Sequence, residues 1–216
     1  MNDSRVITTN QNGLNEQLDE VVLKHLQTPF KKPISTHTQA AFDELDAVVK
    51  ASTKPLILDS CCGVGESTRE LSKRHPKALI IGLDKSAHRL GKHEASSEHG
   101  EYYLARVDLN DFWRLAVAAG WQPSHHYLLY PNPWPKAKHL QRRWHGASVF
   151  PSIIALGGKL ELRSNWAIYL QEFQRALELA GHQSQFNELL TDNPITPFER
   201  KYQASGQQLW QLQCTL

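Results

Sequence analysis

Apolar runs of strand length alternate with amphipathic segments of helix length over most of the chain. The apolar runs predict strands at 56–58, 78–83, 102–107, 127–130 and 159–163. The segments between and after them predict helices at 66–75, 86–97, 110–119, 144–155 and 166–180. Because strands that alternate with helices form parallel sheets with both faces covered, this pattern predicts a doubly wound α/β fold.

The two ends of the chain depart from this alternation. Residues 1–52 carry apolar side chains at helical spacing and predict a helical lead-in before a domain that covers 53–216. Residues 182–190 and 207–213 alternate polar and apolar side chains, which predicts an antiparallel hairpin around a loop at 191–206. The predicted fold is therefore a mostly parallel, seven-stranded sheet with an antiparallel C-terminal hairpin. This layout resembles the Rossmann-like domain of methyltransferases that depend on S-adenosylmethionine (AdoMet).

Composition says more about the setting of the protein than about its chemistry. The 216 residues include 24 Lys+Arg and 22 Asp+Glu, so any basic footprint for nucleic acid must be local. No apolar run is long enough to cross a bilayer and no signal-like stretch begins the sequence, so we expect no membrane association. Three cysteines do not make a disulfide framework. Because disulfides form in oxidising compartments, their expected absence favours the reducing cytoplasm. The sequence has no CxxC or HExxH motif and predicts no metal site.

The turn after the first predicted strand has the composition of a ligand-binding turn. The stretch LILDSCCGVGESTREL places Asp59 at the strand end and Gly63 and Gly65 in the turn. Ligands of doubly wound sheets bind beyond the carboxyl ends of the strands, and glycines let the backbone approach them closely. Cys61 stands where dinucleotide binders have their first glycine, and this argues against a nicotinamide cofactor. These four residues are candidate cofactor-binding residues, with a plain tight turn as the alternative.

Acidic residues also end the next two predicted strands. Asp84 follows the glycine turn by about 20 residues, the distance expected for an acid that binds a ribose. Asp108 ends the third strand, near the place where an adenine amino group would lie. The alternatives are a charge that favours a helix N-terminus for Asp84 and a helix cap for Asp108. In the cofactor interpretation, Asp59 faces the cationic amino group of the methionine part.

A basic loop follows the fourth predicted strand. Its sequence, YPNPWPKAKHLQRRWH (residues 130–145), has three prolines and no acidic residue. Trp134 stands between prolines and offers a flat face on which a base can stack. The cations that follow it suit phosphate contacts, and they are Lys136, Lys138, Arg142 and Arg143. The alternative is a solvated basic face beside a buried tryptophan.

In this loop the sequence resembles the bacterial tRNA (guanine-N7)-methyltransferase family. That family has a Pro-Asp-Pro-Trp-Pro/His-Lys loop followed by basic residues, and residues 131–143 are similar to it. It also has a Thr-x-Phe-Glu motif, similar to residues 196–199, and a tryptophan at the position of Trp166. The resemblance covers roughly residues 50–216. It implies AdoMet as cofactor and tRNA as partner.

The resemblance also implies roles for single residues. Asn132 would stand at the reaction centre. Four residues would contact the guanosine or its flanking backbone, and they are Lys136, Asn165, Thr196 and Glu199. The alternative for the last two is an ordinary loop with a salt-bridged glutamate. This chain departs from the family at positions 132 and 165, where the family usually has Asp, and at position 61, where it usually has Gly.

Methylation at guanine N7 sets modest chemical demands. N7 carries an in-plane lone pair, so the reaction needs alignment and electrostatics rather than a strong base. Asn132 supplies a neutral carbonyl oxygen that can orient the base by accepting its N–H groups. The sequence leaves open a tRNA guanine-N7 methyltransferase, a paralogue that methylates an amino group of another base or RNA, and a catalytically weak module that binds RNA or AdoMet. We expect a monomer or a weak homodimer.

Overall fold

The structure, a computed structural model, describes residues 4–94 and 101–216, and within them seven strands form one sheet. The strands are β1 (Leu56–Ser60), β2 (Leu79–Asp84), β3 (Tyr102–Arg106), β4 (His125–Leu129), β5 (Lys159–Ser164), β6 (Ser184–Glu188) and β7 (Trp210–Thr215). Their order is β3-β2-β1-β4-β5-β7-β6. Strands β1 to β5 pair in parallel, whereas β7 pairs antiparallel with β5 and β6. This sheet confirms the predicted fold class.

The strand order creates a crossing point at the centre of the sheet. The chain runs outward from β1 to β3 and then returns to place β4 on the other side of β1. Strands β1 and β2 are buried over their full length, as apolar central strands of a parallel sheet are. Ligands of open α/β sheets bind at such a crossing, beyond the carboxyl ends of the strands. The ends of β1, β2 and β4 therefore frame the candidate site.

Helices pack against the sheet around two apolar cores. The helices are α1 (Leu18–Gln27), α2 (Thr36–Ala51), α3 (Glu66–Arg74), α4 (Ala87–Leu90), α5 (Leu109–Ala118), α6 (Phe150–Leu156), α7 (Ala167–Leu179) and α8 (Pro197–Ala204). The larger core joins α1, α2, α5, α6 and α7, and the smaller one includes Leu71 of α3. Leu18 and Val22 of α1 are buried in the larger core, so the lead-in helices pack on the same body. Among the residues described, no helix has the length and apolar character needed to span a bilayer.

Two predicted helices have different bounds in the structure. The helix predicted at 144–155 begins at Phe150, after short 3-10 turns at Ala137–Arg142 and Trp144–Gly146. Pro151 explains this start, because proline lacks an N–H and is tolerated only in the first turn of a helix. The helix predicted at 86–97 is the short α4, which ends before Gly91, a poor helix former. The last three positions of that prediction, 95–97, lie outside the described residues.

Helix α8 occupies part of the stretch 191–206 that the sequence predicted as a loop. Thr196 caps the helix by accepting the main-chain N–H of Glu199 at 2.9 Å. The Glu199 carboxylate reaches back and accepts the N–H of Ile195 at 2.8 Å. This arrangement is a variant of the capping box, and Pro197 stands at the first helical position. The Thr-x-x-Glu spacing was therefore a helix signal as well as a family motif.

Candidate active site

A cavity of about 530 Å³ opens beside the carboxyl ends of β1, β2 and β4. Segments that are far apart in sequence meet in its lining, from the glycine turn to α8. Six of the predicted site residues line it, and they are Cys61, Asp84, Asp108, Asn132, Trp134 and Arg142. The structure thus brings the predicted cofactor turn and the predicted substrate loop together on one cavity.

In the turn after β1, Gly65 is tightly packed whereas Gly63 faces open space. Cys61, Gly63 and Gly65 have φ angles of 68°, 64° and 78°, in the left-handed region that favours glycine. A Cβ at Gly65 would lie 2.7 Å from Leu104 Cδ1, so this left-handed position is crowded as well and favours glycine. At Gly63, no described atom lies within 4 Å of where a Cβ would stand. The space over Gly63 is therefore available to a ligand, while Gly65 packs the turn against β3.

Asp84 links the glycine turn to the end of β2. Its Oδ2 accepts the main-chain N–H of Gly63 at 3.0 Å, and its Oδ1 accepts that of Ser86 at 2.8 Å. Arg89 pairs with Oδ1 at 3.2 Å. A carboxylate has about four acceptor positions, so one remains for a ligand hydroxyl. The position of Asp84 on the cavity wall fits the predicted ribose contact.

Asp59 lies buried beneath the turn and does not line the cavity. Its Oδ2 accepts hydrogen bonds from the hydroxyls of Ser67 and Thr68, at 2.6 and 2.7 Å. Its Oδ1 has no hydrogen-bond partner among the described residues. Burial raises the pKa of Asp59 to about 6. An approaching ammonium group would satisfy the unpaired oxygen and favour the ionised form.

Asp108 caps α5 and borders the cavity with the same carboxylate. Its Oδ1 accepts the main-chain N–H of Asn110 at 2.9 Å, and its Oδ2 pairs with Lys32 at 3.2 Å. Burial opposes ionisation, but the hydrogen bonds from Asn110 and Lys32 hold the pKa of Asp108 below its ordinary value. The helix cap that the sequence offered as an alternative is therefore present, and it does not remove Asp108 from the cavity wall.

The cavity wall concentrates backbone strain. Within the described part of the chain, the non-glycine residues with positive φ are Cys61, Tyr130 and Trp134, and all three line the cavity. Such conformations cost about 1–3 kcal/mol each and persist where the surroundings hold them. Trp134 is held in part by its own loop, because its N–H donates to Asn132 Oδ1 at 3.3 Å. Nothing in the sequence pattern indicated this strain.

The two adjacent arginines of the basic loop have opposite environments. Arg142 is exposed, and its guanidinium lies 4.7 Å from the centroid of the Trp134 ring. Arg143 is fully buried and pairs with Glu172. It also donates to the main-chain oxygens of Trp134 and Lys136, at 3.1 and 3.2 Å. The expectation that Arg143 contacts RNA phosphate is therefore wrong, because its guanidinium has no exposed surface.

Thr196 and Glu199 support the cavity wall from behind. They are 4% and 0% exposed, and their contact with the guanosine or its flanking backbone, which the resemblance implied, stays a prediction. Glu199 pairs with Arg163 at 2.8 Å, and the Tyr130 hydroxyl donates to it at 3.2 Å. This carboxylate therefore ties α8 to the start of the basic loop.

Two further predicted residues lie outside the cavity lining. Asn165 donates from Nδ2 to Gln207 Oε1 at 2.8 Å, beside the segment that follows α8. Lys136 is exposed on the basic loop, and no ion pair involves it within residues 4–94 and 101–216. Their contact with the guanosine or its flanking backbone stays a prediction.

The lining residues that were not predicted as site residues include Phe198, Lys85 and Arg89. Phe198 lies between Thr196 and Glu199, is 44% exposed and lines the cavity. Lys85 and Arg89 add exposed cations from the β2 end and α4. An apolar residue inside the Thr-x-Phe-Glu motif was a usable signal for Phe198. The sequence carried no such signal for Lys85 and Arg89, because lysine and arginine are common at exposed positions.

Comparison with known proteins places the chain among methyltransferases. A family model described as "Putative methyltransferase" matches residues 53–212, which is most of the chain. The chain belongs to this methyltransferase family. The chain is 25% identical over 202 residues to the tRNA (guanine-N(7)-)-methyltransferase of Colwellia psychrerythraea, covering 85% of this chain and 82% of the relative. It is 27% identical over 183 residues to the protein of the same name from Leifsonia xyli, covering 79% of each.

Solved structures of other methyltransferases share the fold of this family member. A 16S rRNA (adenine(1408)-N(1))-methyltransferase from Catenulisporales acidiphilia is 17% identical with a TM-score of 0.57, covering 81% of this chain and 90% of that one. An aminoglycoside resistance methyltransferase is 17% identical with a TM-score of 0.56, covering 81% and 92%. At this identity the likeness shows the Rossmann-like methyltransferase fold.

Proposed function

We propose that this chain transfers the methyl group of AdoMet to N7 of a tRNA guanine. The observation that carries the proposal is that one cavity is bordered by the glycine-turn residue Cys61, by Asp84 and by the aromatic and cationic residues of the basic loop. Relatives named tRNA (guanine-N(7)-)-methyltransferase that align over most of the chain support it. We further propose that the protein acts in the cytoplasm, as a monomer or a weak homodimer.

The residues around the turn fit AdoMet. Bound AdoMet would supply a methyl group on a cationic sulfur. Asp84 would accept a ribose hydroxyl through its remaining acceptor position, and Asp108 would lie near the adenine. The unpaired Oδ1 of Asp59 would face the amino group from below the turn, and Gly63 leaves room for the ligand above it.

The other wall of the cavity suits a base in an extended position. Trp134 and Phe198 present aromatic surface to the cavity, and base stacking on such side chains contributes about 1–3 kcal/mol per base. Arg142 and Lys136 are exposed beside them and can contact phosphates. A guanine removed from its neighbours in the RNA would therefore find both a stacking surface and charge neutralisation.

The chain's residues would act by alignment rather than by proton removal. Guanine N7 is available without deprotonation, so holding it in line with the methyl group is the main requirement. Asn132 is exposed at the cavity, where its amide would face the Watson–Crick or Hoogsteen edge of the base. Its oxygen already accepts the Trp134 N–H, which orients the amide within the loop.

A second candidate function is methylation of a base amino group, and Asn132 favours it. An amide oxygen can accept from an exocyclic amine, whereas a carboxylate suits the positive purine that N7 methylation creates. The identity of the methylated nucleoside separates the two functions.

The test is transfer of a radiolabelled methyl group from AdoMet to tRNA from cells that lack this protein, followed by separation of the nucleosides. The proposal expects label in 7-methylguanosine, and Asp84→Asn as a control should reduce transfer through weaker cofactor binding. Label in an amino-methylated base would support the second function. Absence of transfer at any enzyme concentration would exclude both.

A further inference from the structure

The N-terminal strap, residues 4–15, lies across the basic loop. Three of its side chains bond to the loop's main chain on both sides of Lys136. Thr9 Oγ1 donates to the oxygen of Pro135 at 2.6 Å. Asn10 Oδ1 accepts the N–H of Ala137 at 3.0 Å. Asn15 Nδ2 donates to the oxygen of the same Ala137 at 2.9 Å.

A fourth strap residue connects to the loop through buried charges. Gln11 is 7% exposed, and its Nε2 donates to Glu172 Oε1 at 2.5 Å. Its Oε1 accepts from Arg143 at 3.1 Å. Arg143 in turn holds the main-chain oxygen of Trp134, the residue with the left-handed backbone on the cavity wall. Gln11 is therefore a further hydrogen-bond partner of the Arg143 guanidinium, and that guanidinium holds the main chain of Trp134.

The other end of the strap contacts the segment that follows α8. The N–H of Ser4 donates to Ser205 Oγ at 3.0 Å, and its oxygen accepts from Gln207 Nε2 at 2.8 Å. Gln207 also accepts from Asn165. These residues follow α8, which carries Phe198. The strap therefore links the loop that bears Trp134 to the segment after α8, the helix that bears Phe198.

The strap makes these contacts with little apolar burial. Val6 is 77% exposed and Leu14 is 45% exposed, and of the strap's apolar side chains only Ile7, itself partly buried, packs against the larger core. The strap's Thr9, Asn10 and Asn15 side chains instead bond directly to the main chain of the basic loop. A segment that only covered the core would bury Val6 and Leu14 instead.

We propose that Thr9, Asn10, Gln11 and Asn15 are positioning residues that hold the basic loop in its RNA-binding conformation. Without these contacts the loop would have to become ordered when RNA binds. The free-energy cost of that ordering would weaken RNA binding. The role in RNA binding rests on the proposed function, whereas the restraint on the loop rests on the contacts alone.

The test compares two triple variants. Thr9→Val, Asn10→Ala and Asn15→Ala remove the three direct bonds to the loop and leave Gln11 in place to protect folding. The matched control carries Thr8→Val, Asn12→Ala and Gln17→Ala, which change exposed neighbours of similar type. We measure hydrogen–deuterium exchange of the peptide 131–142 and the Kd for tRNA.

The strap variant should exchange the loop amides about tenfold faster than wild type and bind tRNA about five- to tenfold more weakly, with AdoMet affinity unchanged. The control should match wild type in every measurement. Unchanged loop exchange in the strap variant would overturn the proposal, and so would faster exchange with unchanged tRNA affinity. If the wild-type protein transfers no methyl group to tRNA, the proposed function is refuted instead. Loop exchange and RNA binding are measured without catalysis, so the two failures can be told apart.

Discussion

The pair of arginines at positions 142 and 143 gives the sharpest energetic prediction. Arg143→Met removes a buried cation and keeps most of the side-chain volume, whereas Arg142→Met makes the same change on the surface. The first should destabilise the fold, and the second should affect only RNA binding. Sequence alone cannot distinguish the two positions.

The magnitude follows from what Arg143 leaves behind. Glu172 is fully buried, and its remaining partners would be His145 at 2.9 Å, Gln11 at 2.5 Å and the N–H of Asn15 at 2.9 Å. Removing one partner of a buried ion pair costs about 3–5 kcal/mol, because the other charge stays desolvated. Such a loss is a large part of a typical folding free energy of about 5–15 kcal/mol.

The lowered pKa of Glu172 gives a second figure of the same order, from the same contacts. Burial would raise the pKa of Glu172, but the His145 hydrogen bond and Arg143 bring it down to about 2, from an ordinary value of 4.5. At 1.36 kcal/mol per pKa unit, this gap corresponds to roughly 3 kcal/mol. Because the pKa is lowered on folding, this stability is present above about pH 5 and is lost as the pH falls towards 2. Arg143→Met should weaken this acid dependence.

Urea unfolding at pH 7 and pH 4 measures both effects. Arg143→Met should lower the free energy of unfolding by about 3 kcal/mol or more at pH 7, and Arg142→Met by less than about 0.5 kcal/mol. Arg142→Met should also reduce the slope of tRNA affinity against salt by about one. Equal stability of the two variants would refute the assignment of Arg143 as a buried organiser of the basic loop.

Four further changes test single residues of the site. Phe198→Ala should raise the KM for tRNA about tenfold in steady-state methyl transfer, with Leu190→Ala, at an 85% exposed position, as the unaffected control. Asn132→Asp should raise kcat by about 10²-fold, because a carboxylate stabilises the positive purine, and an unchanged kcat would speak against Asn132 at the reaction centre. Asp84→Asn should weaken AdoMet binding about tenfold by calorimetry, whereas equal affinity would remove Asp84 from the cofactor site. Thr196→Ala should lower the unfolding free energy by about 1 kcal/mol through loss of the α8 cap, and an unchanged urea midpoint would contradict that role.

Much of the fold and the cofactor side of the cavity could be predicted from the sequence. Periodicity revealed the strands because parallel strands are apolar throughout, and strand ends necessarily meet at one edge of such a sheet. Asp84 and Asp108 reached the cavity for that reason. Asp84 also fixes the glycine turn and Asp108 also caps α5. Both of these roles depend on hydrogen bonds to the main chain.

The substrate side could be predicted only in outline. The basic loop was recognisable from its composition, but burial of Arg143 depends on Glu172, which lies on another helix 29 positions away. The motif Thr-x-Phe-Glu identified the right segment, yet its polar members face inward and Phe198 faces the cavity. Contacts of the strap with the loop cross more than 120 positions of sequence and have no local signature.

The central claim is that one cavity joins AdoMet to N7 of a tRNA guanine. Methylation at N7 makes a positively charged purine that borohydride reduces and aniline then cleaves, so strand scission reports both the atom and its position. After incubation of unmodified tRNA with the protein and AdoMet, we predict scission at one guanosine, dependent on AdoMet and diminished with Asp84→Asn. Methyl incorporation into tRNA without any scission would contradict the claim.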